Sequence, residues 1–437
     1  MKKFDKDKQL RKLHNKKNNS NTKIISIVLS ITILVGAIIY FTFARFESNT
    51  IFNLIGGTVT TKYKTISQTM LKLASQESND LGYDGTSTLG QYGTEDNNLR
   101  YIGADPSNYI YFNCSTSDIS KMNSATCEKW RIVGLFNNIE DENGNKSSRI
   151  KIIKDEILTA TDSEYNAYAW DSSAESVNIG FGINQWGEST YEDGTTYEGA
   201  DLMRELNTDY LGNTTVGTNG KWYDSTNNSK NEDMPTSTLN TNAQNMIQTI
   251  KWNTGSNEPN SSNNIYAKNL YQWERSNNTG KVCTDSGSKH CSDTVVRTTS
   301  WIGKVGLIYP SDYAYATYNG NADDRLNCLS LKIAKWYNEG SSEGKDCSIN
   351  SWIRDVNFPI FTLTAYSDGD ESYNSYEAYG VFRIDNRGHI IDNASYYVSG
   401  DHAAQTYGIK PVVYLKNEIL IIDGNGTSAN PYKLSLK

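Results

Sequence analysis

The feature that most constrains this chain is an uncharged apolar run of 21 residues, from Ile24 to Ala44. At about 1.5 Å of helical rise per residue, this run spans roughly 31 Å, the hydrocarbon thickness of a bilayer. Only two Ser and two Thr residues interrupt it, so a helix here lacks the polar stripe of a helix at a protein surface. The run therefore predicts one transmembrane helix over residues 24–44.

The charges before this run predict its orientation. Residues 1–23 carry eight Lys and one Arg against two Asp, a net charge of +7. Because Lys-rich and Arg-rich flanks stay in the cytoplasm, residues 1–23 are a predicted cytoplasmic tail and the C-terminus is extracellular. A cleaved signal peptide is the alternative, but its apolar segment is usually only about 7 to 15 residues long, and the end of this run is a poor cleavage site. We expect an uncleaved, single-pass anchor in the cell membrane.

The rest of the chain is acidic. The whole chain carries −8, so the residues from 24 onward carry −15. An acidic extracellular part has no electrostatic reason to bind nucleic acid, so we expect no nucleic-acid partner. The membrane is the one partner that the charge pattern itself indicates.

All six cysteines lie after the apolar run, as expected for disulfides in an exported domain. Their spacing lacks the close pairs of zinc sites, so no metal site is predicted. Our hypothesis is sequential pairing, although other pairings are formally open. The three predicted pairs are Cys114 with Cys127, Cys283 with Cys291, and Cys328 with Cys347.

Residue patterns after the anchor predict a linker followed by an α+β fold. Residues 45–95 combine one short amphipathic stretch with Gly-rich and Ser-rich sequence, which is typical of a stalk. Residues 96–437 form the predicted extracellular domain, with helices near residues 199–211, 243–250 and 265–273. Short β-branched and aromatic runs predict strands in this domain. These runs are 109–112, 130–136, 150–153, 305–308, 361–364, 381–384, 389–391, 412–415 and 419–422. The turn sequences at 137–148 and 385–388 predict two hairpins, one of 130–136 with 150–153 and one from Val381 to Ile391.

Five motifs in this region carry a resemblance. They are NLRYIG at 98–103, YIYFNC at 109–114, CEKWRIVG at 127–134, WIGKVGLIYPSDY at 301–313 and YGIKPVVYL at 407–415. The sequence from about 96 to 434 resembles a family of uncharacterised, N-terminally membrane-anchored surface proteins of low-GC Gram-positive gut bacteria. The resemblance implies a cell-surface location and brings no activity with it.

Residues 302–437 show a more distant resemblance to C-type-lectin-like modules of the kind found in sulfatase-modifying factors. It rests on Trp352 after a Cys, on FTLT at 361–364, on a hairpin with Gly388, and on Lys410 in a final Gly-x-x-Pro strand. The Gly-Asn-Val-x-Glu-Trp motif and the copper-binding Cys pair of the formylglycine-generating enzymes are missing. The resemblance therefore implies the scaffold without the oxidase activity.

The candidate ligand-binding residues lie in a Tyr-rich segment, AYSDGDESYNSYEAYG at 365–380. Tyr beside Ser, Asp, Asn and Gly is the composition of adaptable binding loops, although an ordinary solvent-facing loop has the same composition. The candidates are Tyr366, Tyr373, Tyr376 and Tyr379. No hydrolase, nucleotide-binding or zinc-protease signature occurs, so no catalytic residue and no cofactor is predicted.

Together these patterns favour a membrane-anchored extracellular binding or adhesion module without catalytic activity, whose ligand is a glycan or a protein. Two alternatives stay open: a surface-anchored enzyme on the formylglycine-generating scaffold, and a structural envelope protein. The sequence names neither the ligand nor the oligomeric state.

Overall fold

A computed structural model describes residues 52–54, 57–59, 63–159, 168–170, 186–191, 196–197, 199–212, 235, 237–256, 265–277, 295–296, 298–336, 344–366, 380–395 and 406–437. Within these residues, no helix is both long enough and apolar enough to cross a bilayer. The predicted anchor at 24–44 and the tail before it lie outside the described residues.

The chain divides into two compact units, Met1–Tyr63 and Lys64–Lys437. In the first unit, strands β1 (Phe52–Leu54) and β2 (Gly57–Val59) form an antiparallel hairpin. The second unit contains the other helices and strands described below.

The second unit is an α+β fold in which strands predominate, as the sequence predicted. Its first strands are β3 (Lys64–Thr65), β4 (Leu81–Tyr83), β5 (Leu99–Tyr101), β6 (Tyr109–Phe112), β7 (Glu128–Glu140), β8 (Lys146–Lys154), β9 (Tyr168–Ala169), β10 (Ser189–Tyr191), β11 (Thr196–Tyr197) and β12 (Ile250–Asn253). The later strands are β13 (Val295–Val296), β14 (Ser300–Gly303), β15 (Val305–Gly306), β16 (Ile360–Tyr366), β17 (Gly380–Ile384), β18 (Ile390–Ser395), β19 (Thr406–Tyr407), β20 (Val412–Leu415), β21 (Leu420–Asp423) and β22 (Tyr432–Ser435).

Within the described ranges, eight short α-helices accompany these strands. They are α1 (Ile66–Ser75), α2 (Thr86–Leu89), α3 (Asp201–Asn207), α4 (Thr241–Met246), α5 (Leu270–Glu274), α6 (Pro310–Tyr315), α7 (Ala322–Ser330) and α8 (Lys345–Ile349). The helix predicted near 243–250 ends at Met246, because the chain enters β12 at Ile250.

A ten-stranded sheet is the centre of the unit. Its main path runs β15-β20-β8-β7-β6-β22-β21-β3, and β5 joins β4 to β7. The predicted hairpin of β7 and β8 is confirmed, with Trp130 opposite Lys154 and Glu140 opposite Lys146. All pairs are antiparallel except β22 with β6. The side chains of residues 130–136 on β7 and 150–154 on β8 are buried, so this part of the sheet lies inside the unit.

The C-terminal part does not separate as its own unit. The strands β15, β20, β21 and β22 belong to the same sheet as β3 to β8, whereas β16, β17 and β18 form a three-stranded sheet of their own. The predicted hairpin from Val381 to Ile391 is confirmed as β17 and β18, with Gly388 at a positive φ of 92° in its turn. Residues 64–437 therefore belong to one compact unit.

The globular unit begins earlier than the sequence suggested. The linker predicted over 45–95 includes α1, whose Ile66 and Met70 are buried, and β3, which pairs with β21. Thr65 caps α1 and Gln68 completes a capping box, so the helix has a well-defined start. The amphipathic stretch is thus a packed helix of the domain, because its apolar face has a sheet to cover.

Two of the three predicted disulfides are confirmed. Cys114 is bonded to Cys127, and Cys328 to Cys347. Cys283 and Cys291 lie outside the described residues. The second bond joins α7 covalently to α8.

Candidate functional site

Four charged side chains meet inside the unit without access to solvent. Asp312, in the first turn of α6, accepts hydrogen bonds from Arg100 Nη1 at 2.7 Å and from Lys151 Nζ at 2.8 Å. Arg100 Nε also contacts Asp84 Oδ2 at 2.5 Å. Each of these side chains is at most 1% exposed. We call Asp84, Arg100, Lys151 and Asp312 the buried ion network; its two carboxylates balance its two cations.

The surrounding groups complete this network. Asp84 also accepts from Thr94 Oγ1 at 2.6 Å and from the backbone and side chain of Asn98. The Lys151 ammonium lies 4.2 Å from the ring centroid of Phe136 and 4.5 Å from that of Tyr309. Buried charges are tolerated when they are paired and hydrogen-bonded, and Lys151 has a carboxylate on one side and aromatic faces on the others.

The protonation of the network follows from its pairing. Burial alone would raise the pKa of Asp312, but Lys151 and Arg100 outweigh it and hold that pKa below its usual value. Burial lowers the pKa of Lys151 to about 8, although Asp312 opposes the change. The Asp312 carboxylate is therefore charged at neutral pH, whereas Lys151 binds its proton less tightly than a lysine in water does.

A second cluster adjoins the first through helix α5. Glu274 is fully buried and accepts from the backbone N–H and the hydroxyl of Ser311, the residue before Asp312. Arg275 Nη1 lies 3.1 Å from Glu274 Oε2. Burial raises the pKa of Glu274 to about 7, and Arg275 opposes that rise. This carboxyl group therefore titrates near neutrality, even though it has a cation beside it.

A polar cleft opens above these clusters. We define it by residues 91–95 on one side, residues 268, 269, 271, 272, 275 and 276 on the other, and Tyr315. Its volume is about 570 Å³, within the range of small-molecule sites in proteins. The Arg100 guanidinium lies 5.7 Å from the ring centroid of Tyr271 and 5.4 Å from that of Tyr315, so these two cleft residues separate the buried ion network from the opening.

The inner wall of the cleft is fixed by side-chain contacts. The Arg275 guanidinium lies over the Tyr271 ring, 3.5 Å from its centroid, and the Tyr271 hydroxyl donates a hydrogen bond to Asp96. Burial opposes the charge on Arg275, but Tyr271 and Glu274 outweigh it and raise the pKa of Arg275. Because these partners hold one another, the wall presents a shape that is already set before a ligand arrives.

The outer wall is open and hydrogen-bonding. Lys268 lies 5.0 Å from the ring centroid of Tyr92, which is half-buried. Gln91 and Gln272 are exposed and face the same opening. Within the described part of the chain, Lys268 forms no ion pair with a carboxylate. Amides, the Lys268 cation, the Glu95 carboxylate and the Tyr92 ring thus line the open side of the cleft.

The predicted ligand-binding tyrosines lie elsewhere. Tyr366 is the last residue of β16, is 6% exposed, and packs edge-on against Phe382 with ring centroids 5.5 Å apart. It is a core residue, because it ends a strand whose side chains are all buried. Tyr373, Tyr376 and Tyr379 lie outside the described residues.

The hairpin loop after β7 is stabilised by hydrogen bonds from its own backbone to Asp141. Asp141 Oδ1 accepts from the backbone N–H groups of Asn143 and Asn145, both at 2.9 Å, so this carboxylate is used by the turn. In the described ranges, no group of three or more His, Cys, Asp or Glu side chains is arranged to hold a metal ion.

No functional motif in the sequence marks the residues of this site, although several lie in motifs named above. Arg100 and Asp312 lie inside the motifs at 98–103 and 301–313, and Lys151 interrupts the apolar run 150–153. A charge in the middle of a buried strand requires a partner, and that signal was present. The identity of the partner was not, because Lys151 and Asp312 are 161 residues apart.

Comparison with known proteins gives no further guide to this site. No protein-family model, curated protein or solved structure matches the chain.

Proposed function

We propose that this protein is an extracellular binding module, held at the cell membrane by its N-terminal helix, and that the polar cleft binds a carbohydrate. The proposal rests on one observation: the cleft combines exposed amides, a lysine and a tyrosine face with an inner wall whose charges are already paired. Sugar hydroxyls can hydrogen-bond to amide and charged side chains, and the apolar face of a sugar ring stacks on an aromatic ring.

The size of the cleft limits the ligand. At roughly 30 Å³ for each non-hydrogen atom, 570 Å³ holds about twenty such atoms. One or two sugar rings fit this volume. We therefore expect the cleft to bind a mono- or disaccharide, or the end of a longer glycan that continues into solvent.

An enzyme on the same scaffold is supported by one observation. The raised pKa of Glu274 is of the kind that catalytic acids have. However, Glu274 is fully buried, and its oxygens accept from Ser311 and lie beside Arg275. A carboxylate enclosed in this way does not reach a substrate in the cleft, which favours binding over catalysis.

The test is a glycan array probed with the full-length chain in lipid nanodiscs, followed by calorimetry on any hit. Tyr92→Ala removes the stacking face, and we expect it to weaken binding at least tenfold, about 1.4 kcal/mol. Lys268→Ala should also weaken binding. Lys72→Ala, an exposed lysine on α1, is the matched control and should leave the affinity unchanged.

Two results would count against the proposal. If no glycan on the array binds at micromolar protein, a carbohydrate ligand is excluded. If a glycan binds with the same affinity to Tyr92→Ala, its binding site lies outside the cleft. Conversion of a bound glycan to products during the assay would favour the enzyme instead.

A further inference from the structure

A second pocket lies beside the end of α1, strand β4 and helix α2. Its volume is about 230 Å³, and Leu81, Leu89, Leu99 and Ile102 supply much of its lining. One cationic side chain lines it as well, that of Arg325 on α7. We call it the Arg325 pocket. The carboxylate of Glu77 lines the outer part of the pocket, where it is exposed. An apolar lining with a few convergent polar groups is the usual composition of a site for a small amphipathic molecule.

Arg325 is buried without a carboxylate bonded to it. The residue is 3% exposed. Its Nε and Nη2 donate to the Tyr315 carbonyl oxygen at 3.2 and 2.8 Å, and its Nη1 donates to the Tyr83 carbonyl oxygen at 2.8 Å. Within the described part of the chain, the guanidinium forms no ion pair. A guanidinium has five N–H groups, so donors remain beyond these three bonds.

The environment leaves the positive charge of Arg325 only partly balanced. Burial lowers the pKa of Arg325 to about 10, although nearby Asp84 opposes the change. The Asp84 carboxylate is itself occupied by Arg100, Thr94 and Asn98. An anion in the pocket would therefore supply a counter-charge that the protein does not place against this guanidinium.

Glycine at position 82 keeps the space beside the guanidinium open. A Cβ atom on Gly82 would lie 2.9 Å from Arg325 Nη1 and 2.9 Å from Ile102 Cδ1. Any larger residue would thus press on both the cation and the apolar lining. The opening at this point depends on the missing side chain.

We propose that the Arg325 pocket binds a short aliphatic carboxylate, with its carboxylate against Arg325 and its alkyl chain against the leucines. At roughly 30 Å³ per non-hydrogen atom, the pocket holds about eight such atoms, the size of hexanoate. Bidentate pairing of a carboxylate with the planar guanidinium gives both the affinity and the direction of the chain. This site is separate from the polar cleft, so the proposal stands without the carbohydrate.

The experiment uses hexanoate and the neutral hexanamide as probes, with the full-length chain in nanodiscs and empty nanodiscs as the blank. Saturation-transfer NMR titrations give both affinities. We expect hexanoate to bind at least tenfold more tightly than hexanamide. Thr88→Trp, at an exposed position that lines the pocket, should weaken hexanoate at least tenfold, whereas Thr86→Trp, exposed on the same helix but outside the lining, should change it less than twofold.

Three results would overturn the proposal: no hexanoate signal above the blank at millimolar probe, equal affinity for the acid and the amide, or equal effects of the two Trp variants. The thermal unfolding midpoint of each variant verifies folding. Since Thr88 and Thr86 are both exposed, both variants should unfold close to the unsubstituted protein, and the binding result then reports on the pocket.

Discussion

Arg100 and Arg325 are both buried in this domain, and their surroundings differ. Arg100, in the network behind the polar cleft, is bonded to the carboxylates of Asp84 and Asp312. Arg325, in the wall of the second pocket, is bonded to the carbonyl oxygens of Tyr83 and Tyr315. Dipoles stabilise a buried cation less than carboxylates do. The comparison indicates that a buried cation is paired with carboxylates of the protein where the fold must be rigid. Where a ligand can bind, the buried cation is bonded only to neutral groups, and the ligand can supply the opposite charge.

The largest effect that the comparison predicts is on stability. Arg100→Met removes the cation that two fully buried carboxylates share. Breaking a buried ion pair from one side costs about 3 to 5 kcal/mol, and here Asp84 stays buried without a bonded cation whereas Asp312 keeps Lys151. We expect a loss of this size in the free energy of unfolding, measured by urea denaturation at pH 7.

The matched control is Lys121→Met, which removes the cation of an exposed pair with Asp118. Exposed pairs of this kind contribute little, so its denaturation midpoint should not move. If Arg100→Met were as harmless as Lys121→Met, the balanced network would not stabilise the fold, and the contrast between the two arginines would lose its basis.

Glu274 represents an intermediate case, and it predicts a pH dependence. Its pKa is raised from 4.5 to about 7, chiefly by burial. Between these pH values the folded chain keeps a proton that the unfolded chain has released, so the contribution of Glu274 lowers stability as the pH rises through this window. The full difference is about 3 kcal/mol. In Glu274→Gln this contribution is absent, so the stability curve should fall less steeply from pH 4.5 to 7.

The control for this prediction is Glu95→Gln, at an exposed position on the rim of the cleft. Its stability should follow the unsubstituted protein at every pH. Parallel curves for Glu274→Gln and the unsubstituted protein would mean that Glu274 is charged throughout the range, and that Arg275 balances it as fully as Asp84 and Asp312 balance Arg100.

The sequence predicted the fold better than the site, for a physical reason. Strands such as Tyr109–Phe112 and Val412–Leu415 were predicted because the spacing of apolar and β-branched residues is a local property. The hairpin of β7 and β8 was predicted because its turn residues are adjacent in the chain. The two confirmed disulfides join near neighbours in the sequence. All of these features depend on short separations.

The site depends on contacts between residues far apart in the chain, and a single sequence does not show which distant residues meet. Arg100 and Asp312 are 212 residues apart, and Asn98 and Tyr271 are 173 apart. The Tyr-rich segment attracted attention because its composition is local, yet Tyr366 is buried. The linker prediction failed similarly: α1 has an ordinary amphipathic pattern, and only the sheet that it covers shows that it belongs to the domain.

The smallest predicted effect is the one that best tests the comparison. Arg325→Met leaves the carbonyl oxygens of Tyr315 and Tyr83 without their hydrogen-bond donors, but no carboxylate in the described part of the chain loses a bonded cation. It also removes a buried positive charge that the protein balances only in part. We expect a loss of about 1 to 2 kcal/mol in the free energy of unfolding, less than for Arg100→Met under the same conditions. Hexanoate at a hundred times its dissociation constant should stabilise the unsubstituted protein by about 2.7 kcal/mol and leave Arg325→Met unchanged. A loss as large as that of Arg100→Met would show that Arg325 is already balanced from within. The pocket would then have no charge to offer a ligand, because a guanidinium whose removal strands a buried carboxylate is a structural cation like Arg100.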